Sequence, residues 1–174
     1  VLEAVPVTAP GLSITPITLH HSSADVAAED AARRQPACAG FVIQTATKKA
    51  VLFWDMDGTN TWISQPQTEA HHAAIALARD ADILCVDCNT WRVDRGSSGR
   101  MASHAAFYTH LNFVPALRPR ETLLMHISGH EDAPGDGRGW TNNEWQSAAQ
   151  RVWAERQMPG SVRVPVIGDV LALY

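Results

Sequence analysis

The chain has 174 residues, 45% hydrophobic and 18% charged, which is the composition of one globular domain. Its net charge of −4 is spread along the chain without a basic block, which argues against a broad nucleic-acid-binding face but not against a small phosphate-bearing substrate. No apolar run approaches the roughly 20 residues of a membrane span, no signal peptide is visible, and the odd set Cys38, Cys85 and Cys88 fits a reduced, cytoplasmic setting.

Val1 to Val7 and Leu12 to Leu19 read as strands parted by the turn-forming Ala9-Pro10-Gly11, the second ending at His20-His21. Residues 24–37, rich in alanine and charge, read as a short helix or as an excursion from the fold. Gly40 to Thr45 and Ala50 to Trp54 predict a hairpin around 46–49. The unbroken Ala50-Val-Leu-Phe-Trp54 suits a strand buried on both faces. Thr68 to Arg79 is helical in pattern, and Ile83 to Val86 is a buried strand ending at Asp87. After a Gly/Ser-rich loop at 96–99, a helix is expected from about Ser103 to Val114, with Phe107, Leu111 and Val114 on one side. Leu123 to Met125 is a short strand ending at His126, followed by a polar loop up to Trp140.

Thr141 and Glu144 have capping-box spacing, and Trp145, Ala149, Val152 and Trp153 form the apolar stripe of the helix they open. Pro159-Gly160 stops it. Val162 to Ile167 and Val170 to Tyr174 predict a closing hairpin around Gly168-Asp169. The sum is a mixed α/β domain without solenoid repeats.

Three of these strands each deliver one ligand-type residue as they end: His21, Asp55 and His126. Side chains at strand ends are held by the sheet and can converge at one rim, as a rigid metal site requires. Imidazole nitrogen and carboxylate oxygen suit zinc, manganese or iron, and a carboxylate can bridge two ions.

The run Gly11-Leu-Ser-Ile-Thr-Pro-Ile-Thr-Leu-His-His21, the hairpin from Gly40 to Asp55, Ile83-Leu-Cys-Val-Asp87, Leu123-Leu-Met-His126 and the closing Val164 to Leu173 resemble, in order, segments of the metallo-β-lactamase-fold hydrolases. Within that superfamily the chain is most similar to the cyclic-phosphate phosphodiesterases of the carbon–phosphorus lyase pathway. The tRNA-maturing endonucleases of the Z type and the pyrroloquinoline-quinone biosynthesis B proteins are more distant. The resemblance implies an αββα sandwich, of which residues 1–174 form the C-terminal part of a single domain. It implies a metal-dependent phosphodiesterase with two divalent ions, zinc or manganese, acting on a small phosphate ester through a hydroxide held between the ions. His21 would be the third histidine of the first site, Asp55 the bridging carboxylate, and His126 the last histidine of the second. His104, near the start of the expected helix, would assist the leaving group, where a helix N-terminus favours an anion. Asp87 is expected to support the ligands rather than bind metal. The family's first motif, His-x-His-x-Asp-His, does not occur in these residues, so an N-terminal half of the same fold is the expected partner. No membrane is involved, and a homodimer is one arrangement open to the protein.

A competing pattern is present. Asp55-Met-Asp57-Gly-Thr59 after an apolar strand resembles the opening motif of the haloacid-dehalogenase-like phosphatases, with Asp55 as nucleophile and Asp57 as general acid. Ile167-Gly-Asp169 imitates a late motif of that family. Against it, no lysine follows Lys49, Asp169 leaves no room for the rest of a magnesium site, and a β-rich segment precedes the nucleophile strand. A non-catalytic binding module of the metallo-β-lactamase type is the reading from another class.

The remaining candidates have plainer explanations. Cys85 and Cys88 are expected to be buried as small apolar groups, His71 and His72 to be solvated, and His110 to lie at the surface. His130, Glu131 and Asp132 either line the site or solvate their loop. Successive strand residues face opposite sides, so only one of His20 and His21 can point at the metals. The resemblance selects His21.

Overall fold

Among the described residues, seven strands form one sheet whose spatial order follows the chain: β1 (Val7–Ala9), β2 (Leu12–Leu19), β3 (Cys38–Thr45), β4 (Lys49–Phe53), β5 (Ile83–Asp87), β6 (Glu121–Met125) and β7 (Ser161–Arg163). The structure, a computed structural model, describes residues 7–21, 38–92, 104–127 and 140–169. β1 to β4 pair antiparallel and β4 to β7 parallel. The change follows from the connections. Short turns join the first strands within each hairpin, whereas α1 (Glu69–Ala78), α2 (Phe107–Leu117) and α3 (Asn142–Glu155) are crossovers long enough to return the chain to the same end.

Local chemistry accounts for several boundaries. In Ala9-Pro10-Gly11-Leu12, proline presets the first turn position, and Gly11, at φ 76°, takes the left-handed second one. Thr68 caps α1 by accepting from the His71 amide, and Thr141 and Glu144 form the expected capping box.

The core lies on one face. Ile17, Leu19, Val42, Val51, Phe53, Leu84, Val86, Leu124 and Val162 join the buried apolar residues of all three helices in a single cluster. On the other face Pro16, Phe41, Leu52, Cys85 and Leu123 share one row across the sheet, and among the described residues no helix packs there. The chain therefore contributes one sheet-and-helix layer of a mixed α/β fold.

Three expectations change. The strand before the first turn reaches Ala9 rather than ending at Val7, and residues 1–6 lie outside the described residues. α2 starts at Phe107 rather than about Ser103, because the residues before it pair with loops: the Ala105 amide donates to the Met56 carbonyl at 2.8 Å, and the Ala105 carbonyl accepts from Asn89 at 3.2 Å. β7 stops at Arg163. Pro165 lacks the N–H to extend it, and Val166 and Ile167 are exposed. The segment 24–37, the 96–99 loop and the strand from Val170 lie outside the described residues.

Candidate metal centre

Two antiparallel steps carry β2 back to the direction of β4, and β5 and β6 run parallel to β4. These four strands thus end on one rim, where open sheets of this kind hold their ligands. His21 follows β2 and keeps the parity of the buried Ile17 and Leu19. Asp55 follows β4, Asp87 closes β5 and His126 follows β6. Asp55 and His126 both have left-handed backbones, φ 52° and 57°, a conformation Asp and His visit more readily than most residues. It breaks the strand alternation at these two exits.

The side chains meet. His21 Nε2 lies 3.2 Å from Asp55 Oδ1, and His104 Nδ1 lies 3.4 Å from the same oxygen. His104 Nδ1 donates to Asp87 Oδ2 at 2.6 Å, and His126 Nδ1 approaches Asp87 Oδ1 at 3.2 Å. Ligand atoms of Asp55, Asp87, His104 and His126 all lie within 4.8 Å of one another. Burial pushes the Asp87 carboxyl above its ordinary range, and the His104 hydrogen bond offsets only part of this. His21 Nε2 and Asp87 Oδ1 are buried without hydrogen-bond partners among the described residues. Buried imidazole and carboxylate atoms with hydrogen-bonding capacity to spare, beside a group of ligand atoms within 4.8 Å of one another, are the donors a divalent cation takes, so these residues fit a metal. Members of this fold family bind divalent metals.

The rim is braced by residues that sequence reasoning passed over. Asn60, fully buried, accepts from the His20 amide at 2.8 Å and donates to the His20 carbonyl at 2.8 Å and the Asp57 carbonyl at 2.9 Å. Its amide thereby extends the hydrogen bonding of β2 past Leu19 and ties the His21 exit to the loop after Asp55. Asn89 donates to the His126 carbonyl at 3.4 Å. His110 reaches from α2 to the Asp87 carbonyl. Nothing in their local sequence marks them, because each gains its meaning from a partner distant in the chain.

The structure brings Asp55, Asp87, His104 and His126 into one group and places Asp87 between the two histidines; His21 lies outside that group and touches it at Asp55. His110 is not at the surface. It is fully buried, and burial lowers its pKa to about 4, so it is neutral at ordinary pH. His71 is half-buried and stacks on Trp62, while His72 is exposed. Cys85 and Cys88 are buried free thiols whose pKa burial raises, as inert apolar groups should be. His130, Glu131 and Asp132 lie outside the described residues.

A family model described as the beta-lactamase superfamily domain matches residues 2–127. The chain belongs to the metallo-β-lactamase-fold hydrolase superfamily. The metallo-β-lactamase-fold protein YhfI from Bacillus subtilis is similar at a TM-score of 0.60 and 18% identity, over 96% of this chain and 52% of that one. An isothiocyanate hydrolase from Delia radicum gut bacteria gives 0.59 and 14%, over 99% and 59%. A diphosphatase of the PhnP family gives 0.50 and 12%, over 99% and 49%. The chain thus spans about half the length of these solved structures. Among curated proteins none matches it.

This membership removes the dehalogenase-like reading. In the structure Asp57 is buried and accepts from the Thr59 amide at 2.8 Å and from the Thr59 hydroxyl, so it shapes its own loop. Among the described residues, no helix is long and apolar enough to cross a membrane.

Proposed function

We propose that this chain supplies one half of the active site of a phosphodiesterase that uses two divalent ions, zinc or manganese. The observation that carries the reading is the convergence of Asp55, Asp87, His104 and His126 within 4.8 Å on the rim where four strands end. A diphosphatase of the same fold suits a phosphorus ester as substrate.

His21, Asp55 and His126 would hold the ions. Bound divalent ions supply Lewis acidity towards phosphate oxygens and lower the pKa of water. The buried Asp87 carboxylate accepts from His104 Nδ1, which fixes the imidazole's orientation and leaves Nε2 to protonate a departing oxygen. A second reading makes Asp87 and His104 ligands, because they belong to the same 4.8 Å group. The metal content of a His104→Ala protein separates the two.

The opposite sheet face supports the partner assignment. Phe41, in the apolar row through Leu52, is 39% exposed, and Trp54, just past β4, is 50% exposed. We assign this face to the second sheet of the sandwich, the half that carries the His-x-His-x-Asp-His motif. The free cysteines suit a reducing cytoplasm.

The test uses the complete protein carrying this chain, stripped of metal and reloaded with zinc or manganese. It should hydrolyse a phosphodiester in heavy-oxygen water with one labelled oxygen entering the phosphate, and Asp55→Ala should abolish turnover. Metal binding without diester hydrolysis would instead define a non-catalytic module.

A further inference from the structure

His110 is a fully buried polar side chain that the proposed chemistry does not use. It projects from α2, and its Nε2 pairs with the backbone carbonyl of Asp87, 23 residues earlier in the chain. A carbonyl only accepts, so Nε2 carries the proton and Nδ1 is bare. Nδ1 is buried and finds no partner among the described residues. A core position that wanted only volume would hold phenylalanine or leucine and avoid this unpaired nitrogen. The imidazole is therefore kept for its one hydrogen bond.

That bond falls where the rim needs it. β5 ends at Asp87, and the Asp87 side chain is shared between His104 on one oxygen and His126 on the other. The His104 segment is already tied to the loop after β4 through Ala105 and Met56, and His126 is tied to Asn89. His110 adds the tie from α2 to the residue between them.

We propose that His110 is a positioning residue of the metal centre, a donor that holds the Asp87 backbone so that both carboxylate oxygens stay aligned with their histidines. The proposal rests on the metal-centre reading above. Partners of this outer kind typically change metal affinity by about 10–100-fold when removed.

The experiment titrates the complete, metal-stripped protein with Co2+ and follows its visible absorption, alongside melting of the metal-free form. His110→Phe keeps an aromatic ring and loses the donor, and His110→Gln restores an N–H of similar reach. The Phe protein should bind Co2+ at least about 10-fold more weakly, with shifted bands. The Gln protein should recover most of the affinity and the native spectrum, whatever the two melting temperatures. Native Co2+ affinity and bands in the Phe protein, or equal losses in both variants, would reduce His110 to a packing residue. If the Phe protein does not fold, the unsubstituted protein with labelled histidine decides: the His110 Nε2–H resonance should move on adding Zn2+, and a fixed resonance overturns the proposal. A wild-type protein that takes up no Co2+ would remove the metal-centre reading itself, a separate result.

Discussion

β5 has an aspartate at each end, and their surroundings are opposite. Asp82, just before the strand, accepts from the Lys49 amide at 2.9 Å and lies 3.5 Å from Lys48 and 3.2 Å from Arg120. Its pKa is lowered, first by the Lys49 hydrogen bond. Nearby, Asp80 pairs with Arg118 at 2.9 Å, and the Lys49 ammonium donates to the Arg79 carbonyl. Asp87, at the far end, is fully buried, has histidines for neighbours, leaves one oxygen without a hydrogen bond, and has its pKa raised. One rim sets its carboxylates against lysine and arginine, while the other sets them only against histidines. A carboxylate already held by a fixed cation is a poor metal ligand, so the histidine-lined rim is the working one.

The contrast can be broken most directly by removing each aspartate's charge. Asp87→Asn or Asp55→Asn should weaken metal binding by about 100-fold or more, at or beyond the upper end of what outer partners cost. Asp82→Asn should leave it unchanged, and calorimetric titration with Zn2+ checks all three.

His104→Ala should slow hydrolysis of an alkoxide-leaving phosphodiester on the order of 10²-fold, and of a nitrophenyl diester much less. Equal losses would take His104 out of the mechanism, and lost metal would make it a ligand.

Gly160 sharpens the structural side. It sits at φ 65°, where an added Cβ would come 2.4 Å from the Pro119 and Arg120 carbonyl oxygens. Gly160→Ala should cost more than about 1 kcal/mol in denaturant melts without touching metal affinity.

The two aspartates should also differ in sign in the metal-free protein. At neutral pH Asp82→Asn should lower the melting temperature, whereas Asp87→Asn should raise it slightly by relieving a buried charge.

A further test is a pH dependence. The unfolded His110 binds its proton at about 6.5 and the folded one only at about 4. Protonation therefore favours unfolding, and stability should fall as pH drops from about 6.5 towards about 4. His110→Gln should flatten that window. Asp82, with its lowered pKa, adds a further loss as pH falls below the ordinary carboxylate range.

Much of the centre was legible before folding. The apolar runs before Asp55 and His126 mark strand exits by pattern alone, and Thr141 with Glu144 marks the start of α3. Such signals are local: periodicity and capping depend on neighbours within a few residues, so the strand and helix order could be read in one dimension. Where a boundary shifted, as at α2, the cause was pairing with the distant Met56 and Asn89 loops.

By itself, then, the sequence determined which elements form, that the chain resembles a metallo-β-lactamase-fold layer, and which ligand-type residues stand at strand ends. The tertiary structure decided that β2, β4, β5 and β6 share one direction, bringing His21, Asp55, Asp87 and His126 to one rim. It also decided which polar residues are buried. His110 in a helix and Asn60 in a loop look like surface residues until docking places a carbonyl 23 residues away beside one and a strand end 40 residues away beside the other. Burial and hydrogen bonding of that kind are properties of residues distant in the chain, and only the packed fold brings those residues into contact.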